Sequence, residues 1–423
     1  MNVLINPTRS LSGVVSAPPS KAETHRALFA GLLSRGTTGI HNPLSSDDTK
    51  ASLNAVSALG ARLHLARGSW RIESDGMPHP PSGRIECGES GVTLRFTTPI
   101  ASLVGVDVNL SGSARLMQRP LQPLIEAMKQ LGVSIKARPV EVVVKAARVK
   151  GGSVRIPGNV SSQFISGLLF AGPLMEEGLE ITVTSSLESR GYVALTIEAM
   201  KEHGINVQTN SDMSRLQIAP HQKYRSADHT IPGDYSSAAF LMSSAAVTGS
   251  RITITGLSQT ESDPDSAFLK ILAKMGVRSS FSPDGLQVEV QELKASQVNI
   301  SNCPDLGPVT VVLGVFADGK TEITGAERLR YKESDRLTAI VSELRSLGAE
   351  VEVTEAGLVV YGPSTLRGGI VESHGDHRIA MALAVAALNA TGPVTIRNAE
   401  SVNKSYPTFF DDIRSLGVEV AER

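Results

Sequence analysis

The chain has 423 residues, 41% of them hydrophobic and 20% charged, with a net charge of −1 at pH 7. That length exceeds what one hydrophobic core supports, so two domains are expected. The near-neutral balance argues against a nucleic-acid phosphate backbone as partner, which calls for a basic surplus. Cys87 and Cys303 make neither a disulfide framework nor a zinc site, and fit a reducing compartment. The start MNVLINPTRS has no apolar signal core, and the apolar run Ile379–Leu388 is too short to cross a bilayer. A cytoplasmic protein without a membrane partner is the expectation.

The predicted elements follow one template along the chain. NVLINP stands before the first cycle and is free to pair with the other half. A first helix (HRALFAGLLSRG, residues 25–36) runs to Gly36, the strand TGIHN follows, and a second helix ends at Gly60 before the alternating strand of LGARLHL. Later cycles place strands at VDVNLSG (106–112), LEITVTS (179–185), SRITITG (250–256), KTEITG (320–325) and PVTIRN (393–398). Their first helices end at Gly105, Gly178, Gly249, Gly319 and Gly392, where glycine suits a left-handed turn. Second helices such as QRPLQPLIEAMKQLG (118–132) and KESDRLTAIVSELRSLG (332–348) lead into closing strands such as AEVEVTEAGLVVYG (349–362).

The glycines ending the second helices are Gly60, Gly132, Gly204, Gly276, Gly348 and Gly417, separated by 72, 72, 72, 72 and 69 residues. Such a register is an internal sixfold repeat of βαβαββ units. The fold class expected is therefore mixed α and β (α+β), with two similar domains of three units each. IPGNVSSQF (156–164) and IPGDYSSAAF (231–240) show the repeat in sequence and set the boundary near Asp228. The first domain is placed at 14–228, the second, discontinuous, at 1–13 plus 229–423.

Two windows per repeat concentrate the chemistry. Between 43 and 37 residues before each register glycine lie APPSKAE, ESGVTLR, SSQFISG, GDYSSAA, DLGPVTV and HGDHRIA. Between 16 and 12 before it lie LSSDD, LMQRP, ESRGY, TESDP, KESDR and SVNKS. Both windows fall at helix N-termini, whose free N–H groups and dipole favour anions. Ser and Asp there are ordinary N-caps, which is the favoured reading of SSDD, TESDP and GDYSS. Cations there oppose the dipole. Lys21, Arg26, Arg95, Arg119, Lys332, Arg336, Arg378 and Lys404 therefore point to bound anions. His374-Gly-Asp-His377 lacks further metal ligands, and no Walker loop or dinucleotide fingerprint occurs. The buried-looking cysteines read as small hydrophobes.

Read together, the windows resemble the enolpyruvyl transferase family over the whole chain. The resemblance rests on PSK…R at Ser20–Arg26, SGVTLR, MQRP, SSQF, SRGY, Pro304-Asp305, YKESDR, GDHR and NKSYP, with KESDR and GDHR together the most specific. It implies two halves of three βαβαββ units with the active site in the cleft between them. The implied reaction moves the enolpyruvyl group of phosphoenolpyruvate to the 5-hydroxyl of 3-phosphoshikimate by addition and elimination, with no metal or cofactor, in a monomer. It also implies that Lys21, Gly91, Arg119, Gln163, Arg336, Arg378 and Lys404 bind phosphoenolpyruvate. Lys21, Ala22, Arg26, Ser161, Ser162, Gln163, Ser189, Tyr192, Asp305, Arg328 and Lys332 would bind 3-phosphoshikimate. Asp305 would be the base, Glu333 the proton donor to carbon, and Lys21 and Lys404 would assist proton transfer.

From the residues alone, Asp305 reads equally as a cap after Pro304, and neither it nor Glu333 stands above Asp335 or Asp376. Some positions depart from the family pattern. Ala22 replaces a usual serine, Glu89 an asparagine, Val92 a threonine and Arg328 an asparagine. The related transferase for a uridine-diphosphate amino sugar would show Lys-Asn where Lys21-Ala22 stands, and a cysteine near Leu116. RNA 3′-phosphate cyclases would show a basic face. A non-catalytic anion-binding relative would bind without turnover.

Overall fold

The structure, a computed structural model, describes residues 1–260, 263–355 and 357–422. Glu261 and Ser262 of the TESDP window, Ala356 of the AEVEVTEAGLVVYG segment and Arg423 lie outside the described residues. Contacts divide the chain into two units, Ser20–Ile231 and Met1–Pro19 with Pro232–Arg423.

The register glycines explain the repeat physically. All six have φ between 80° and 106°, a backbone that costs any side chain with a Cβ. Gly60 N–H donates to the Ser57 carbonyl at 3.0 Å and Ala61 N–H to the Val56 carbonyl at 3.1 Å, the two bonds of a Schellman cap. The same pair recurs at Gly132, Gly204, Gly348 and Gly417. Each glycine is followed by a buried apolar residue: Ala61, Val133, Ile205, Val277, Ala349 or Val418. The motif therefore anchors one residue in the core and turns the chain from a helix straight into the edge strand of its sheet. Gly36, Gly105, Gly178, Gly249 and Gly319 also have positive φ, but Gly392 does not. There the helix His377–Leu388 stops at Asn389, and Gly392 lies against the Gly368 backbone instead.

The described residues form six four-stranded sheets; four run in the order first, second, fourth, third strand along the chain, and in the other two His229–Thr230 takes the first place and Val3–Ile5 the third. The first two strands are parallel and the remaining pairings antiparallel, as for Gly152–Ile156, Leu179–Val183, Arg215–Ile218 and Val207–Thr209. Two leading strands are exchanged. Val14–Ser16 pairs with Ile252–Thr255, while His229–Thr230 pairs with Arg35–His41. Residues 14–19 thus belong with the C-terminal sequence and 229–231 with the first unit. This corrects the boundaries read as 14–228 and 1–13 plus 229–423. Val3–Ile5 lies between Val394–Arg397 and Val420–Glu422, so the N-terminus completes the last sheet.

The first helix of every repeat is internal. Lys21–Leu33, Gly91–Ala101 and Ser162–Ala171 meet through Phe29, Phe96 and Phe170, with ring centroids 5.3–6.4 Å apart. A Cβ on Gly167 would strike the Arg95 carbonyl, so glycine permits that helix contact. In the other unit Tyr235–Val247 and His377–Leu388 are buried along their whole length, as their alanine-rich, all-round apolar sequences require. The second helices cover the outside, with one polar face.

His203 stands where the other repeats have Leu59, Leu131, Met275, Leu347 and Leu416. It is fully buried. Its Nδ1 lies 2.7 Å from the Arg225 carbonyl and 2.6 Å from Ser34 Oγ, and its Nε2 lies 2.8 Å from His229 Nε2. Burial first, and then His229, push the imidazole down to about 4. Its unfolded counterpart protonates near 6.5, so this stabilisation is complete above pH 6.5 and disappears as pH falls toward 4. A shift of that size corresponds to about 3 kcal/mol. The sole tryptophan, Trp70, is buried in the same unit and reports its unfolding. The fall in its denaturation midpoint between pH 7 and pH 4.5 should be markedly smaller in His203→Leu.

Candidate active site

Within Ser20–Ile231, the sequence-selected residues gather around three helix starts. Lys21 opens its helix behind the Ser20 cap, and its Nζ donates to Asp48 Oδ2 at 3.0 Å. The cap of the helix Asp47–Ala58 is Ser46, in a capping box with Thr49, which leaves the Asp48 carboxylate for Lys21. The cap reading of SSDD holds for its serine and fails for Asp48. Arg26 is buried and donates to Thr196 Oγ1 at 2.9 Å, the Ala22 carbonyl at 2.8 Å and the Tyr192 carbonyl at 2.6 Å. Arg26 and Tyr192 thus come together, and Ala22 contributes its backbone, which the missing serine side chain does not affect.

The helix Gly91–Ala101 starts behind the Ser90 cap. A Cβ on Gly91 would lie 3.0 Å from Arg119 Nη1, so the absence of a side chain lets the Arg119 guanidinium lie against the helix start. Arg95 donates to Gln163 Oε1 at 2.7 Å and to the Pro120 carbonyl at 3.1 Å, with Ser161 Oγ 3.5 Å away. It therefore ties Gly91, Arg119, Ser161 and Gln163 into one cluster. Ser161 also caps the helix that Ser162 opens. Ser189 precedes the helix Arg190–Glu202 with φ 55° and ψ 39°, a left-handed backbone costing roughly 1–2 kcal/mol, and makes no side-chain cap bond.

The other unit holds a denser charge cluster. Asp305 lies in the 3₁₀ turn Pro304–Leu306. Its Oδ1 accepts from Lys332 Nζ at 3.0 Å and Arg336 Nη1 at 2.8 Å, and its Oδ2 lies 3.3 Å from Arg378 Nη2. Burial alone raises this carboxyl, but Arg378, Lys332 and Arg336 overrule it and hold it well below the usual carboxylate range. Arg336 also donates to Glu333 Oε2 at 2.7 Å. Burial pushes the Lys332 ammonium down to about 8 despite Asp305, with Arg336 contributing.

Asp376, fully buried, binds Arg336 through both oxygens, at 2.7 Å to Nε and 3.2 Å to Nη2. It also accepts from Ser334 Oγ at 3.1 Å and from Arg378 N at 3.0 Å, capping that helix. Arg328 donates to the Ser301 carbonyl. Lys404 is buried at the end of the 3₁₀ segment Ala399–Lys404, against the helix His377–Leu388. Asp335, Asp234 and Asp263 cap helical turns, as the composition of their windows suggests.

Sequence reasoning passed over Asp48 and Asp376 as binding partners, and read Arg95 as a cation for a bound anion where the structure has it donating to Gln163 and the Pro120 carbonyl. The signal was available in part: each lies in one of the two chemical windows. Pairing of one window with another, as Lys21 with Asp48, is a tertiary fact. Removing Asp376 leaves Arg336 buried with less compensation and uncaps a core helix. Asp376→Ala should destabilise its unit by about 3–5 kcal/mol, read as a fall in the denaturation midpoint.

A cluster of buried Arg and Lys at helix starts, with a carboxylate among them, can hold polyanions and move a proton beside them. Comparison with known proteins gives one answer. Residues 5–413 match the family model of EPSP synthase (3-phosphoshikimate 1-carboxyvinyltransferase). A 3-phosphoshikimate 1-carboxyvinyltransferase of Methanocorpusculum labreanum is 39% identical over 427 residues, covering 99% of each chain. One from Clostridium kluyveri is 39% identical over 421 residues, covering 99% of this chain and 98% of its own. The EPSP synthase structure of Acinetobacter baumannii superposes with a TM-score of 0.81 at 26% identity, covering all of both chains. With the repeat, the cation-rich helix starts and full-length likeness in agreement, the chain belongs to the EPSP synthase (3-phosphoshikimate 1-carboxyvinyltransferase) family.

Proposed function

We propose that the chain transfers the enolpyruvyl group of phosphoenolpyruvate to the 5-hydroxyl of 3-phosphoshikimate and releases phosphate, a step of the shikimate pathway to aromatic amino acids. The observation that carries this reading is the carboxylate of Asp305 held among Lys332, Arg336 and Arg378. Both substrates carry a phosphate and a carboxylate. Desolvating those charges is costly unless cations meet them, and Arg forks match both groups.

Lys21, Gly91, Arg119, Gln163, Arg336, Arg378 and Lys404 take phosphoenolpyruvate. Ser161, Ser162, Ser189 and Lys332 take the phosphate of 3-phosphoshikimate, and Arg26, with Tyr192, its carboxylate. Ala22 and Arg328 line the same ligand. The left-handed backbone of Ser189 supports a role beyond capping. Asp305 accepts the proton of the 5-hydroxyl, and Glu333 delivers one to the vinylic methylene. In elimination Glu333 takes a proton back from the methyl while the carbon–oxygen bond to phosphate breaks, and the proton that Asp305 took from the hydroxyl leaves with the phosphate, with Lys21 and Lys404 assisting that transfer. In the free protein three cations weaken Asp305 as a base. Substrate anions drawing on Lys332, Arg336 and Arg378 restore its basicity, so proton abstraction follows binding. Proton delivery from Glu333 likewise requires its bond to Arg336 to open.

A monomer in the cytoplasm, without metal, cofactor or nucleic acid, completes the reading. The near-neutral charge and the lack, among the described residues, of a helix long and apolar enough to cross a membrane are compatible with it.

Phosphate release from phosphoenolpyruvate in the presence of chelator should require 3-phosphoshikimate. Binding of both ligands without release would instead mark a non-catalytic relative. Asp305→Ala and Glu333→Gln should each lower kcat by about 10²–10⁴-fold, with much smaller changes in KM. Loss of binding alone in both variants contradicts the roles given. Lys332 is charged below about pH 8 and neutral above it. KM for 3-phosphoshikimate should therefore climb as pH passes 8, roughly tenfold by pH 9, and Lys332→Arg should flatten the climb.

A further inference from the structure

Behind the helix start at Gly91 runs a buried chain of hydroxyls that the proposed reaction leaves unused. His25, Ser52 and Thr93 are fully buried, and Ser90 nearly so. His25 Nδ1 lies 2.8 Å from Ser52 Oγ, Ser52 Oγ lies 2.7 Å from Thr93 Oγ1, and Thr93 Oγ1 donates to Ser90 Oγ at 2.8 Å. The chain joins three helices: Lys21–Leu33, Asp47–Ala58 and Gly91–Ala101.

Counting donors gives the chain a direction. The Thr93 hydroxyl gives its hydrogen to Ser90, so toward Ser52 it can only accept. Ser52 then gives its hydrogen to Thr93 and accepts from His25, which must carry its proton on Nδ1. That leaves His25 Nε2 as a bare acceptor, and it is buried with no hydrogen-bond partner. At the other end, Ser90 Oγ accepts both the Thr93 hydroxyl and the Thr93 N–H, the latter at 3.2 Å. Both acceptor positions of Ser90 are occupied, and its own hydrogen has no acceptor among the described residues. Burial beside Lys21 and Arg26 holds the His25 imidazole well below its ordinary range, so the arrangement persists across neutral pH.

We propose that Ser90 donates its hydroxyl to the phosphoenolpyruvate anion, and that Thr93, Ser52 and His25 are positioning residues that hold it in that sense. The proposal rests on the assignment of phosphoenolpyruvate to Gly91 and Arg119. A free hydroxyl would rotate between donor and acceptor roles. Two incoming donors fix this one, and the hydrogen joins the amides of the helix start as a further donor to negative charge.

The test compares Ser90→Ala, Thr93→Val, Thr93→Ser and the double variant Ser90→Ala/Thr93→Val. Thr93→Val keeps the side-chain shape and removes the hydroxyl. Ser90→Ala and Thr93→Val should each raise KM for phosphoenolpyruvate about tenfold, with kcat and KM for 3-phosphoshikimate within about twofold of the parent. Thr93→Ser should restore the parent value, and the double variant should be no worse than Ser90→Ala alone. An unchanged phosphoenolpyruvate KM, a parallel rise in both KM values, or full additivity in the double variant overturns the proposal. So does a loss of thermal stability as the only effect. If Thr93→Val does not fold, Ser90→Ala decides alone. Arg119→Ala, measured alongside, separates the two readings. If it leaves KM for phosphoenolpyruvate unchanged, the underlying assignment fails; if it raises it while Ser90→Ala does not, only the role of Ser90 fails.

Discussion

A cation at the start of a helix faces the positive end of the dipole, and once buried it needs a carboxylate or an anion. The chemistry of this protein is organised by that constraint. Lys21 rests on Asp48, and Arg336 is enclosed by Asp376, Glu333 and Asp305. The guanidinium of Arg336 is only 1% exposed, so its position is set by those partners and not by solvent. Asp376 does the most of this, because one carboxylate orients Arg336, holds Ser334 and caps the helix that carries Arg378.

These carboxylates differ in what they can give up. Asp376 is fully buried and bound on both oxygens, so it is part of the frame. The side chains of Asp305 and Glu333 are 24% and 11% exposed, and sit at the edge of the same cluster. They can exchange partners when an anion arrives. A single cluster thereby contains both the support for Arg336 and the two carboxylates to which the proposed proton transfers are assigned.

The frame depends on repetition. Each repeat ends its second helix by the same device, a left-handed glycine followed by a buried apolar residue that leads into an edge strand. Internal helices need no amphipathic stripe, because packing covers them on all sides. Their starts are the positions where polar groups remain useful, and most of the chemical windows map onto them; Arg119, which follows the short helix Ala114–Gln118, and Lys404, at the end of Ala399–Lys404, depart from the expected helix starts. Where one repeat departs, as His203 does from leucine, a polar network replaces apolar packing and stability becomes dependent on pH.

The repeat, the register glycines and most of the helix starts with their cations are legible in the amino-acid order alone. Each follows from local rules of backbone conformation, hydrophobic period and dipole. Which sheet takes which strand is settled by folding. Val14–Ser16 and His229–Thr230 open the stretches read as the first domain and the main part of the second, yet each pairs with a strand of the other, because strand pairing is a long-range choice. Folding also decides that Asp48 serves Lys21 while Ser46 caps, that Asp376 serves Arg336, and that Arg95 orients Gln163. A carboxylate at a helix start satisfies the local rule whether it caps or pairs. The choice is made by the charge that folding brings beside it.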